Sequence, residues 1–239
     1  MKVAVLYSGG KDSTYAIQFC REKGWDVRYL LSVKPTRKDC FLFHYATVEH
    51  TRKTAEMLGI RHRLISCSVA DPVQEALLIQ KVVAMEEKVD AVVLGGTGLQ
   101  ETQINSIKRV LAPLGIDAFA AHAGRDHAEV FAEMLEQGYE VMITQVASDG
   151  LMQWLGTIIT KANFPQLLED SKRYGFHSGF EGGYADSFVL DCPLFSKRVE
   201  LAGVSTIIDD AYCGHIIATT INLVDKNTIL EAVSEVIIS

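Results

Sequence analysis

The sequence predicts an α/β protein: a doubly wound parallel sheet followed by a second, smaller α/β domain. Three observations lead there. Through the first half of the chain, short apolar runs alternate with segments of helical period, the pattern of a parallel sheet covered on both faces. Two of those runs, at 2–7 and 90–94, are each followed by a Gly-Gly pair. Past about residue 124 the strict alternation gives way to a mixed pattern that ends in two long strand-like segments.

The run at 2–7 (KVAVLY) feeds Ser8-Gly9-Gly10 and reads as a buried strand entering a tight turn. Residues 12–23 follow as a helix, with Asp12 or Ser13 near its start and Gly24 past its end. A strand at 26–33, a helix at 48–58 ending at Gly59, a strand at 62–67 and an amphipathic helix at 72–87 come next. The strand at 90–94 closes on Gly95-Gly96, and a helix at about 101–112 and a short strand at 117–120 complete the first half. A soft boundary near 122–126, without a flexible linker, divides the chain into 1–124 and 125–239. The second part reads as a helix at 126–137, a strand at 139–146, a helix near 163–174 and a glycine-rich segment at 178–188. Strands at 198–208 and 215–224 and a helix at 226–237 finish it. Right-handed crossovers put the C-termini of parallel strands on one edge, where ligands bind at the reversal of strand order. Both Gly-Gly turns fall on that edge.

Composition narrows the function classes. A formal net charge of -7 over 239 residues argues against strong non-specific nucleic-acid binding, which rests on Lys and Arg contacts to phosphate. The five cysteines are odd in number, widely spaced and without a Cys-x-x-Cys, so reduced thiols in a cytoplasmic protein are expected. The first residues lack the apolar run of a signal peptide, and no stretch nears the ~18 apolar residues of a membrane helix. No membrane partner is expected. The apolar C-terminal strands and helix offer either a homodimer face or the completion of the core.

The chemistry concentrates at Ser8 to Ser13. Adjacent glycines let the backbone approach a ligand closely, and the following helix offers unpaired N–H groups and the positive end of its dipole, a ready phosphate site. Lys11 adds a point charge, Ser8 and Ser13 add hydroxyls, and Asp12 either caps the helix or holds Mg2+. The loop is neither GxxxxGK[ST] nor GxGxxG.

SGGKDS directly after the first strand resembles the signature of the PP-loop ATP pyrophosphatases. That resemblance implies a Rossmann-like domain of the adenine-nucleotide α-hydrolase kind and the use of ATP and Mg2+. Ser8, Gly9, Gly10, Lys11, Asp12 and Ser13 would hold the phosphates and the ion, with Lys11 and Asp12 in the catalytic step and Asp12 as the metal ligand. The backbone around Leu31–Val33, including Ser32 and Val33, would cradle adenine, and Gly95 would lie near the nucleotide.

Three further features are Phe43-His44 after the second strand, Gln103 and Arg109 after Gly95-Gly96, and Glu181-Gly182-Gly183 followed by Ser187-Phe188-Val189-Leu190-Asp191-x-Pro193. Together they resemble the diphthine–ammonia ligase family, in its archaeal form, over essentially the whole chain. The family's activity implies ATP-dependent amidation of diphthine on elongation factor 2 with ammonium, through an acyl adenylate, releasing AMP and pyrophosphate. His44, Gln103, Arg109, Glu181, Gly182, Gly183 and Asp186 would then contact substrate, and Glu181 would hold ammonium or accept a proton. The sequence departs from the family's Glu-Gly-Gly-Glu at Tyr184; either Asp186 substitutes for the second Glu or that role is dispensable.

The remaining polar residues read as ordinary. His122, His127, His177 and His215 show no HxxxH spacing and are taken as partly exposed side chains rather than ligands. Cys192 lacks a nearby partner and reads as a buried thiol. The basic loop at 34–40 reads as solvated, or as a docking point for an acidic partner. Two alternatives stand beside the amide ligase. A tRNA-modifying ligase or thiolase would need RNA for AMP release. A non-catalytic adenine-nucleotide sensor would bind ATP without consuming it.

Overall fold

A computed structural model of the chain describes residues 1–36, 47–69, 71–96 and 101–226. His44 and nearly all of the helix expected at 226–237 lie outside the described residues, as does most of the basic loop. Strands β1 (Lys2–Leu6), β2 (Asp26–Pro35), β3 (His62–Cys67), β4 (Ala91–Leu94) and β5 (Asp117–Ala120) form a sheet in the order β3-β2-β1-β4-β5. Every neighbouring pair is parallel, and the order reverses between β1 and β4. The period of two along the strands sorts the core. Val3, Val5, Ala91 and Val93 pack on one face with Ile17 of helix α1 (Lys11–Glu22). Ala4, Val92 and Leu94 pack on the other with Ile79 of α3 (Pro72–Met85) and Ile107 of α4 (Thr102–Leu111). Helix α2 (Thr51–Leu58) is preceded by one 3-10 turn, Val48–His50. Asp71 caps α3 by accepting the Gln74 N–H at 2.9 Å, with Pro72 in the first helical position, where its missing N–H costs nothing.

The second half is built on an antiparallel sheet. Strand β6 (Glu140–Ala147) lies at its centre, flanked by β8 (Ala185–Asp191) on one side and by β7 (Ile158–Ile159) and β10 (Cys213–Val224) on the other. Strand β9 (Arg198–Ile208) pairs with β10 in a long hairpin. Helices α5 (His127–Glu136) and α6 (Phe164–Tyr174) complete the described elements. Asp126 starts α5 by accepting the N–H groups of Ala128 and Glu129 at 2.8 and 3.0 Å. Two features differ from the sequence reading. The two-residue β7 is too short to leave a periodic signal, and the glycine-rich segment at 178–188 divides into a turn and the start of β8.

The halves meet through β8, which lies across the loop after β1. The Val189 N–H donates to the Gly9 carbonyl at 2.9 Å, and Phe131, Phe188 and Val189 share one buried cluster with Val3 and Ile17. A second seam joins α2 to β10: Lys53 Nζ donates to the Ile221 carbonyl at 2.7 Å, and the His50 ring lies 3.0 Å from the Ala218 carbonyl.

One half-buried histidine sets a pH dependence of stability. The His62 Nε2 lies 2.8 Å from Ser32 Oγ and 3.2 Å from Thr51 Oγ1. Burial, then the charge of Arg52, lowers its pKa from 6.5 to about 4, against a smaller opposing effect of Glu56. The unfolded chain therefore binds a proton that the folded chain refuses between those values. Stability present above pH 6.5 is lost as the pH falls towards 4. Urea denaturation at pH 7 and pH 5 should show the loss, and His62→Gln should flatten the slope.

Candidate active site

The loop Ser8-Gly9-Gly10 leaves β1 and turns into α1 at the reversal of strand order. Gly9 has φ +80°, and a Cβ there would lie 2.5 Å from the Phe188 ring, so both conformation and space require glycine. The loop ties itself together through hydroxyls. Ser13 Oγ donates to the Gly10 carbonyl at 3.1 Å and accepts the Ser8 N–H at 3.2 Å. Gly10 N–H donates to Ser8 Oγ at 3.3 Å, and Lys11 N–H to Ser187 Oγ of β8 at 3.3 Å. Helix α1 begins with no side-chain cap, so the capping role open to Asp12 in the sequence is not the one it plays.

The Lys11 side chain is buried, 2% exposed. Its ammonium donates to Asp12 Oδ2 at 2.7 Å and to the Gly179 carbonyl at 2.8 Å, and it lies 5.3 and 5.5 Å from the ring centres of Phe131 and Phe180. It is a fixed charge joining the loop to the second half of the chain. Burial works against the Asp12 carboxylate, but the charges of Lys11 and His122 outweigh it and hold the pKa at about 2, from 3.8. Asp12 Oδ1 makes no hydrogen bond and lies 3.5 Å from His122 Nδ1.

His122 follows β5, and His127 opens α5. The two rings stand edge to face at 4.9 Å between centres. Neither His122 nitrogen has a hydrogen-bond partner, and burial lowers its pKa to about 4, Asp12 opposing. His127 Nδ1 meets Glu181 Oε2 at 2.5 Å. The end of β4 forms the opposite wall. A Cβ on Gly95 would lie 2.4 Å from the Asp12 carbonyl carbon, and one on Gly96 would lie 2.9 Å from the His127 ring.

Proteins of known name align with most of this chain. The family model of the diphthamide synthase N-terminal domain covers residues 1–118, and that of the diphthamide synthase C-terminal domain covers residues 126–228. The Danio rerio protein named diphthine–ammonia ligase is 30% identical over an alignment of 254 residues, covering 96% of this chain and 99% of that one. The chain belongs to the diphthine–ammonia ligase family. The Homo sapiens protein of the same name is 29% identical over 234 residues, covering 88% of this chain and 86% of its own. Among solved structures, a Methanocaldococcus jannaschii chain described as a predicted subunit of tRNA methyltransferase aligns over 81% of this chain and 98% of that one. The two are 13% identical, with a TM-score of 0.44. The family is one of ligases that form a C–N bond.

For a member of the diphthine–ammonia ligase family, the residues singled out from sequence divide clearly. Ser8, Gly9, Gly10, Lys11, Asp12, Ser13, Gly95 and Glu181 converge where the strand order reverses. Ser32 is buried and donates to the Tyr7 carbonyl, next to Val33. Gln103 is half-buried in the first turn of α4. Arg109 is exposed in the last turn, about 10 Å further along the helix axis, and the structure does not bring it to the Asp12–Glu181 cluster. Gly182 and Gly183 are exposed beside Glu181, and Asp186 pairs opposite Gln145 in β8. The reading of His122 and His127 as ordinary histidines is corrected: His122 is fully buried, His127 nearly so, and both face Asp12. Their spacing straddles the boundary between halves, which hid the convergence. Ser187, quoted only as part of a motif, is a direct partner of the loop. Cys192 is buried, and burial pushes its thiol up to about 11, far from the thiolate that sulfur transfer requires.

Proposed function

We propose that this chain amidates the carboxylate of diphthine on elongation factor 2, consuming ATP and ammonium and releasing AMP and pyrophosphate. The observation that carries the reading is the placement of Glu181, from the second half, beside Gly96 and His127 and within the same cluster as Lys11-Asp12. Membership of the family supports it. Residues 1–124 serve in this reading as the nucleotide-binding unit and 125–239 as the unit that presents the acceptor.

In the first step the carboxylate oxygen attacks the α-phosphorus, and the bond to the pyrophosphate oxygen breaks. The loop N–H groups of Gly10 and Lys11 hold phosphate: their contacts to Ser8 and Ser187 hydroxyls, at 3.3 Å, are long for an N–H···O bond and yield readily to an anionic oxygen. The fixed Lys11 charge opposes the negative charge growing on the leaving group. The adenine edge runs along the end of β2, by Ser32 and Val33. Asp12 Oδ1, buried and without a hydrogen-bond partner, would offer one oxygen to the divalent ion that accompanies ATP, Mg2+ in the sequence reading; that ion would neutralise phosphate charge. In the second step ammonia attacks the acyl carbon, AMP departs with the bonding pair, and the amide nitrogen sheds a proton. Glu181 holds the incoming ammonium and accepts the proton that makes it nucleophilic.

No helix among the described residues is long and apolar enough to cross a membrane. The test is release of AMP and pyrophosphate from ATP with Mg2+, ammonium and diphthine-bearing elongation factor 2. Release should need all components. Release with tRNA in place of the factor, or ATP binding without turnover on either, would overturn the assignment.

A further inference from the structure

The surroundings of Asp12 suit a different ion better than Mg2+. One ligand atom each from Asp12, His122 and His127 lies within 4.8 Å of the other two. Mg2+ takes oxygen ligands in octahedral array and keeps its waters, whereas imidazole nitrogen suits the later first-row divalent ions. The unmet valences point the same way. Asp12 Oδ2 is taken by Lys11, but Oδ1 has no hydrogen-bond partner, and neither has either nitrogen of the fully buried His122 ring. Buried polar atoms are rarely left so, and an unpartnered carboxylate oxygen beside an unpartnered imidazole, 3.5 Å from His122 Nδ1, defines a place for an electrophile. Glu181 supplies the support such a site needs. It engages His127 Nδ1 at 2.5 Å, which fixes the ring and leaves Nε2 as the ligating nitrogen, the usual carboxylate–histidine–metal arrangement.

We propose that Asp12, His122 and His127 form a site for a divalent transition-metal ion of the Mn2+, Co2+ or Zn2+ class, with Glu181 as the positioning residue for His127. Three protein ligands leave coordination positions open, the mark of a reactive rather than a structural centre. The neighbouring Lys11 charge keeps affinity below that of a closed four-ligand site. Gly95 and Gly96 belong to the same construction, because a side chain on either would enter the space that Asp12 and His127 occupy. The Tyr15 ring, 5.1 Å from that of His122, closes the buried side.

The test is direct binding, so it succeeds or fails separately from the amidation chemistry. Untagged chain is stripped with chelator and titrated with Co2+, following the visible d–d absorption, and in parallel with Zn2+ and Mg2+ by calorimetry. One Co2+ per chain is expected, with bands that a tenfold excess of Mg2+ does not displace. His122→Ala and His127→Ala should each weaken binding by more than about tenfold and Glu181→Gln by about 10–100-fold. His62→Gln, outside the cluster, should leave binding unchanged. Circular dichroism checks that each variant is folded, and His127, at the edge of the cluster, remains informative if the buried His122 variant is not. Absence of d–d bands, or affinity unchanged in folded His127→Ala, would overturn the proposal.

Discussion

Lys11→Met is expected to lower ATP-dependent AMP release by about 10²–10³-fold while leaving a folded protein. Methionine keeps the apolar stem of the side chain near Phe131 and Phe180, so no large cavity opens. What disappears is the ammonium that binds Asp12 Oδ2 and the Gly179 carbonyl. Breaking a buried pair by removing one member costs about 3–5 kcal/mol. The Asp12 side chain is 30% exposed, so water relieves part of that, and a loss of roughly 1–3 kcal/mol is the expectation here. The double variant Lys11→Met with Asp12→Asn separates the two effects. It should recover stability, because no unpaired carboxylate remains, but not turnover. Thermal melts and AMP release on the four proteins of the cycle decide this. Turnover unchanged in Lys11→Met would remove Lys11 from the chemistry.

Gly95→Ala should be as damaging through a different cause. The added carbon would lie 2.4 Å from the Asp12 carbonyl carbon and 2.6 Å from Asp12 Cβ. The obstacle is the backbone of α1, not the end of a flexible side chain, so nothing can rotate away. The end of β4 and the first turn of α1 must separate, at a cost of about 3 kcal/mol. The displacement falls on Asp12 itself, and a shift near 1 Å in a positioning element costs about 10²-fold in rate. A melting curve and an AMP-release assay on the same preparation should show both losses. A stable Gly95→Ala protein with full turnover would mean that this contact does not position Asp12.

How much of this was legible in the sequence follows from how local each signal is. Strand runs such as KVAVLY and DAVVL, each closed by Gly-Gly, fix their own boundaries. From them the sheet, its ligand-binding edge and the loop at Ser8–Ser13 follow without knowledge of tertiary contacts. Strand β8 was obscured because its first residues continue a glycine-rich turn and its register with β6 is irregular. The site was half legible. The loop and Glu181 carried motifs, but the role of Lys11 did not. A lysine after two glycines reads as an open phosphate ligand, and only the fold reveals that Gly179 and two phenyl rings enclose it. His122 and His127 were unreadable for the same reason. They come from the end of β5 and the start of α5, five residues apart, and their common target, Asp12, is more than a hundred residues away. Arg109 shows the converse: its distance from Gly95-Gly96 in sequence is short, yet the helix carries it away from the edge where they lie.

The most direct test of the central claim is isotope transfer. Diphthine-bearing elongation factor 2 is incubated with the protein, ATP, Mg2+ and 15N-ammonium, and the modified histidine peptide is analysed by mass spectrometry. The account predicts 15N in the side-chain amide, formed only when ATP is present and in step with AMP release. AMP release without 15N in the factor, or no labelled peptide with active ATP consumption, would contradict it.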